Sequence, residues 1–415
     1  MTTSSAGRST ERTGNPTTAT LPGRPANRPA DNREPEDPVA FLMEHALGHL
    51  FSAALRTAVQ YRIADHLAEG PRTAEQLAQA TGTHAPHLRR VLRYLATRDI
   101  FREDATGAFQ LTPGARPLRS DVPHSLRDAV LMMTDETFLR SSAALPETVR
   151  TAGPSFDRIF GAPLFELLAA DPGTRELFDT GMASLSGPVD GLVAESYPFP
   201  EGSTVIDVGG GRGGLLRSVL ELHPSLSGVL YDQEPAVARH LLDVPGLAGR
   251  WRAEAGDFFA SVPEGGDVYV LKHVLHDWPD AACVDILRRV RDAAPAHARL
   301  LIVDSVLPPG NAPHYGKAMD VAMMAVLDGK ERTAEEYATL LSAADFRLTR
   351  VLSTPAFPSI VESVPAERTA PPARRRDGGR HTAAVTGSRR RPGRAPAVRR
   401  SLLPVRPAAA GRPAG

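Results

Sequence analysis

Apolar residues recur along most of this chain with two periods, and the switches between them mark its organisation. Residues 1–36 follow neither: Thr, Ser, Arg, Pro and Asn dominate, which predicts a disordered N-terminal tail. From Asp37 the pattern turns helical. Phe41, Leu42, Ala46, Leu47, Leu50, Phe51, Ala54, Leu55 and Val59 predict a helix so apolar that it needs cover on more than one side. A partner chain is a natural source of that cover, so a homodimer is expected. Further helical segments follow, one opened by the capping-box pair Thr73 and Gln76. Two short strands, Ile100 to Glu103 and Ala108 to Leu111, then flank a glycine turn. Three helices and a hairpin read as a winged helix over 37–120. Residues 121–200 are helical, with Phe138, Phe160, Phe165, Phe178 and Met182 as core. Phe178 and Met182 stand four apart on one helix face, spacing that also permits a wall for a flat aromatic substrate.

From residue 201 short apolar runs alternate with helical patterns. Thr204, Val205 and Ile206 end in Asp207; a turn through Gly209, Gly210, Gly211, Gly213 and Gly214 follows, then a helix, then a strand closing on Asp232. This is the nucleotide-binding half of a doubly wound sheet. Gly209, Gly211 and Gly214 satisfy G-x-G-x-x-G, which leaves a dinucleotide open at this point. Further on, Asp267 to Leu271 runs into Lys272-His273-Val274-Leu275-His276-Asp277-Trp278-Pro279, and Arg299 to Val303 ends on Asp304. A helix from Ala334 to Ala344 and two last strands complete the sheet. Asp207, Asp232, His276 and Asp304 all fall where strands end. Open α/β sheets bind ligands at the carboxyl ends of their strands, so these side chains are expected around one crevice.

Basic and acidic residues balance at 48 each, which gives no charge reason for a nucleic-acid or membrane partner. A DNA-binding reading of the N-terminal region would use Arg89, Arg90 and Arg93. With a cofactor domain behind it, a dimerisation scaffold is the preferred reading. The single cysteine, Cys283, excludes an internal disulfide and a multi-cysteine metal site, and no metal is expected. No apolar run is long enough to span a bilayer, and the N-terminus lacks a secretory core, so a cytoplasmic protein is expected. Residues 366–415 are rich in Arg, Pro, Ala and Gly, a basic tail expected to be disordered.

Taken with Gly256-Asp257, His276-Asp277-Trp278 and Gly329-Lys330-Glu331-Arg332-Thr333, the glycine turn allows a family to be named. The sequence resembles the S-adenosylmethionine-dependent O-methyltransferases of the caffeate and isoflavone type, and most of all their bacterial relatives that tailor aromatic polyketides. The resemblance runs from about residue 38 to 365. It implies an α/β fold: a Rossmann-like methyltransferase domain over 201–365 behind the helical dimerisation domain. It also implies S-adenosylmethionine in place of a nicotinamide. By resemblance, Asp207, Gly209 and Gly211 belong to the cofactor cradle. Asp232 binds the ribose, Asp257 and Phe258 flank the adenine, and Lys272 lies near it. His276 resembles the general base, held by Asp304 and Glu331. The family usually has Glu where this chain has Asp304, so that contact would be made at shorter reach. Met319, Asp320 and Met323 resemble substrate-pocket positions, and the substrate expected is a small aromatic molecule. Two alternatives stay open: decarboxylation or hydroxylation of a polyketide-like substrate, and a winged-helix regulator that binds a ligand.

Overall fold

The computed structural model describes residues 37–367, so the tails expected to be disordered lie outside the described residues except for Ala366 and Glu367. The first apolar stretch forms two helices, Pro38–Ala46 and Gly48–Gln60, where the spacing predicted one. The break falls at Leu47, next to a glycine that weakens the helix. The second helix buries Ala54, Ala58 and Val59 against the rest of the chain. The first buries nothing, and Val39, Phe41, Leu42 and Met43 stand in the open.

Helices Ala74–Thr81 and Ala85–Ala96 lead into a small antiparallel sheet of β1 (Arg72–Thr73), β2 (Phe101–Glu103) and β3 (Ala108–Leu111), in the order β1-β3-β2. The capping box predicted at Thr73 and Gln76 forms in both directions. Ile63, Leu77, Leu88, Leu92, Leu95, Phe101 and Phe109 fill the core beneath. Arg89 reaches Glu103 of the hairpin at 2.9 Å and Arg93 approaches it at 3.9 Å. Two of the arginines that a DNA-binding face would need are thus engaged within the chain.

Five short helices between Arg127 and Ala170 precede one of 25 residues, Pro172–Ser196. Asp171 caps the long helix by accepting from the Gly173 amide, and Pro172 sits at its first position, where no amide partner is lost. Phe178 and Met182 on this helix pack against a cluster of Met132, Phe138, Phe156, Leu164, Leu168, Ala325 and Val326.

The remaining strands are β4 (Thr204–Val208), β5 (Ser227–Asp232), β6 (Trp251–Ala255), β7 (Val268–Lys272), β8 (Arg299–Asp304), β9 (Phe346–Ser353) and β10 (Ser359–Pro365). They form one sheet in the order β6-β5-β4-β7-β8-β10-β9. β4 to β8 run parallel, and β10 is antiparallel to both neighbours. Apolar clusters cover both faces, which is why the central strands read as unbroken apolar runs. The reversed β9–β10 hairpin departs from the all-parallel order of dinucleotide-binding sheets and argues against that alternative. The strand order reverses between β4 and β7, so a crevice opens there at the carboxyl ends. Among the described residues no helix is long and apolar enough to cross a membrane.

Candidate active site

The crevice has two ends. At the first, β4 delivers Asp207 beneath the glycine turn, with both carboxylate oxygens buried and lacking a hydrogen-bond partner. Burial pushes its pKa up to about 7. Gly209 has φ +68°, and a Cβ there would lie 2.8 Å from Val274 Cγ2 and 3.5 Å from the Phe258 ring, so backbone and packing both require glycine. Gly211 faces open space. At the end of β5, Asp232 accepts from the Gly211 amide at 2.7 Å and the Gln233 amide at 2.6 Å. Burial raises its pKa against the pull of those two donors. Asp257 accepts from the Phe259 amide at 2.9 Å, which leaves the intervening Phe258 ring beside Gly209.

Lys272, expected beside the adenine, ends β7 with its Nζ 2.5 Å from Asp190 Oδ1 on the long helix. Both members of this pair are largely buried, so the helix is tied to the sheet at the crevice. The sequence reading passed over Asp190; its only signal was one acid in the apolar run Val189 to Val193.

A second histidine and a ring of acids form the other end. His276 lies in a short 3-10 turn, with Nδ1 3.0 Å from Glu331 Oε1 and Nε2 3.4 Å from Asp277 Oδ1. Burial opposes a charge on this ring, but Asp277, Asp304 and Glu331 outweigh it and push its pKa up to about 10. Burial also raises Asp277 to about 6. The expected grip of Asp304 on His276 needs correction. The Asp304 carboxylate turns to His273, 3.4 Å from its Nδ1, and accepts from the Tyr337 hydroxyl at 3.3 Å. The partners within reach of His276 are Glu331 and Asp277, and the contacts of Asp304 are with His273 and Tyr337. Its charge still reaches that ring through a buried medium. His273, His276 and Asp304 each bring a ligand-type atom within 4.8 Å of the others.

Residues 329–333 lock this end, and each has a physical task. A Cβ on Gly329 would fall 1.9 Å from the His276 carbonyl oxygen, so only glycine allows the two segments to touch. Lys330 bridges Asp280 at 3.2 Å and Glu336 at 3.0 Å. Glu331 meets His276. Arg332 is fully buried and donates to the carbonyls of Leu275 at 2.8 Å and Trp278 at 2.9 Å, and to Asp280 at 2.9 Å. Thr333 caps the helix Ala334–Ala343 in a capping box with Glu336. Asp320, read as a substrate-pocket residue, has one carboxylate oxygen engaged: Oδ1 accepts from the Glu331 amide at 3.0 Å. Met319 and Met323 share a face of the helix Tyr315–Val326, with Met323 buried.

A crevice with an unpartnered buried acid, an open glycine turn and a strand-end carboxylate suits a cationic nucleoside, and the histidine beyond it suits proton abstraction. This is the architecture of a nucleoside-dependent transferase. The comparisons agree: residues 43–121 match the O-methyltransferase dimerisation domain and residues 143–347 the O-methyltransferase domain. Phenazine O-methyltransferase PhzM of Lysobacter antibioticus is 40% identical over 329 residues, which span 79% of this chain and 96% of that protein. CalO1, a methyltransferase in calicheamicin biosynthesis solved with S-adenosylhomocysteine, superposes with a TM-score of 0.74 at 46% identity, over 79% of this chain and 98% of that one. NcsB1, an O-methyltransferase from neocarzinostatin biosynthesis solved with S-adenosylmethionine and 2-hydroxy-5-methyl naphthoic acid, gives 0.63 at 34% identity, over 76% and 95%. The chain belongs to the S-adenosylmethionine-dependent O-methyltransferase family.

The contact between residue 329 and the His276 backbone can be tested directly. Gly329→Ala should destabilise the protein by about 1–3 kcal/mol and lower turnover, because either segment must retreat. Thermal unfolding and initial rates report the two effects.

Proposed function

We propose that this protein moves the methyl group of S-adenosylmethionine to a hydroxyl of an aromatic small molecule, phenolic or polyketide in type, with His276 as general base. The observation that carries the reading is the buried His276–Glu331 pair at the crevice mouth. A phenol is a weak nucleophile until it loses its proton, and its pKa near ~10 matches a base raised into that range. The sulfonium supplies an activated methyl on a neutral leaving group, so the reaction needs no Lewis acid. Asp232 and the glycine turn hold the ribose end, and Asp207 gives the cation a buried counter-charge. Phe258 lies against the adenine, and Asp257 fixes that loop. Glu331 accepts from Nδ1 of His276, which leaves Nε2 as the nitrogen that meets the acceptor. Phe178, Met182, Met319 and Met323 wall the acceptor, and Asp320 holds the backbone of Glu331.

The protein works in this reading as a cytoplasmic homodimer without metal or nucleic acid. The exposed row of Val39, Phe41, Leu42 and Met43 supports the dimer, as does the match of this region to a dimerisation domain. Leu42→Glu together with Phe41→Glu should convert two-chain particles to single chains in analytical ultracentrifugation.

The deciding experiment incubates purified protein with S-adenosylmethionine and a panel of phenols and hydroxylated polyketides. A product one methylene heavier, formed together with S-adenosylhomocysteine and unaffected by EDTA, is expected. In the same assay His276→Ala should lose turnover with cofactor affinity intact, and Asp232→Ala should lose cofactor affinity by calorimetry. Cofactor binding without methyl transfer to any acceptor would point to decarboxylation or hydroxylation instead.

The pH dependence has a definite sign. His276 must be neutral to act, so the rate rises with pH through its raised pKa. Glu331→Gln removes a charge that favours the imidazolium, and the rising limb of kcat should move to lower pH. The maximum should fall roughly a hundredfold or more, because the tautomer is no longer fixed. A limb that moves to higher pH would contradict the placement of Glu331.

A further inference from the structure

The second histidine, His273, has no role in the chemistry described so far, yet its surroundings are unusually well determined. It follows β7 directly, and its amide donates to the Val303 carbonyl at 3.1 Å, extending the pairing with β8 by one residue. Its backbone then adopts φ +53°, a left-handed conformation that histidine tolerates at a cost of about 1–3 kcal/mol when its surroundings enforce it. The ring is packed on both faces: His276 lies at 5.2 Å with 30° between planes, and Phe357 at 5.5 Å with 21°. Phe357 is itself backed by Tyr315 at 5.0 Å.

The polar edge is set by proximity alone, since neither His273 Nδ1 nor Asp304 Oδ1 has a hydrogen-bond partner. His273 Nδ1 is 3.4 Å from Asp304 Oδ1, and the other oxygen of Asp304 accepts from Tyr337. Asp304 is fully buried at the end of β8. The charged and titratable groups around His273 are therefore Asp304 from β8, Tyr337 from the helix Ala334–Ala343, and Lys272 and His276 from its own segment. Burial, assisted by the positive neighbours, lowers the pKa of His273 although Asp304 opposes this, so the ring is neutral at neutral pH. A neutral ring can lie face to face with His276 while the latter gains a proton; a second imidazolium would repel it.

We propose that His273 is a positioning residue that acts through His276: stacked between Phe357 and His276, its flat face sets the plane of the base. The inference rests on His276 being the base. One residue in a costly conformation thereby places a ring against the base. Asp304, bonded by Tyr337, lies beside the polar edge of His273, while Glu331 holds Nδ1 of His276.

The test uses His273→Asn, since asparagine accepts the left-handed conformation and can bond Asp304 but presents no ring. The expected result is a loss in kcat of about tenfold to a hundredfold, the range found when a partner that orients a functional histidine is removed. KM for both substrates should be unchanged, while the thermal midpoint falls modestly because a packed ring is replaced by a smaller side chain. His273→Phe restores a flat face and should recover part of the loss. In the His276→Ala background, His273→Asn should cause no further decrease in slow product accumulation, because residues that act as a unit are not additive. Unchanged kcat in His273→Asn, or a further loss in the double variant, would overturn the proposal. If His273→Asn fails to fold, Phe357→Leu, which removes the ring backing His273, provides the same signature at smaller amplitude, and an unchanged kcat there would overturn it equally. Full turnover by His276→Ala alone would instead sink the reading of the base, which separates the two failures.

Discussion

Arg332 is the constraint on which the catalytic end depends. A guanidinium taken fully out of water carries a desolvation cost of several kcal/mol unless its donors are met. Here they are met mainly by main-chain carbonyls of Leu275 and Trp278, together with Asp280. Because those carbonyls bracket His276, the charge that must be satisfied also fixes the segment that carries the base. Glu331, one residue earlier, then finds the imidazole at bonding distance. Gly329 completes the arrangement by letting the two backbones touch. The two motifs occur together because they form one object: neither segment would hold this shape without the other.

Much of this was legible in the residues, for reasons that differ by part. The parallel strands announced themselves as apolar runs because both faces of the sheet are covered, and their ends were marked by Asp207, Asp232, His276 and Asp304. The capping boxes at Thr73 and Thr333 are local and need no tertiary knowledge. Reach was harder to read. The resemblance assigned Asp304 to His276, and only the three-dimensional packing shows that its carboxylate lies beside His273, three residues earlier. The break at Leu47 was misread because spacing reports a helix face, while where one helix ends and the next begins depends on local packing.

His273 shows the limit most clearly. It stands three residues before His276, and nothing in the residue letters reports its positive φ. Asp190 was hidden in another way, since an acid in an apolar helix has no partner visible nearby in sequence. Its partner, Lys272, lies beyond the next three strands, at the end of β7. Long-range pairs of this kind are set by topology, and the long helix reaches the crevice only because the β4–β7 switch point opens beneath it.

The electrostatics of the cofactor end follow from the same topology. Asp207, Asp190 and Asp232 face two cations, Lys272 and Arg175, so an excess of negative charge is held where burial is deepest. Burial raises the pKa of Asp207 and Asp232, which means that both carboxylates are held at a cost. A cationic cofactor offsets this cost, whereas a dinucleotide pyrophosphate would add to it. The glycine turn and the strand-end acid Asp232 are compatible with either ligand; Asp207, buried beneath the turn, favours a cation. The charge of the cleft, more than the glycine pattern, therefore selects a sulfonium. It also explains why a fold shared with dinucleotide enzymes serves methyl transfer here.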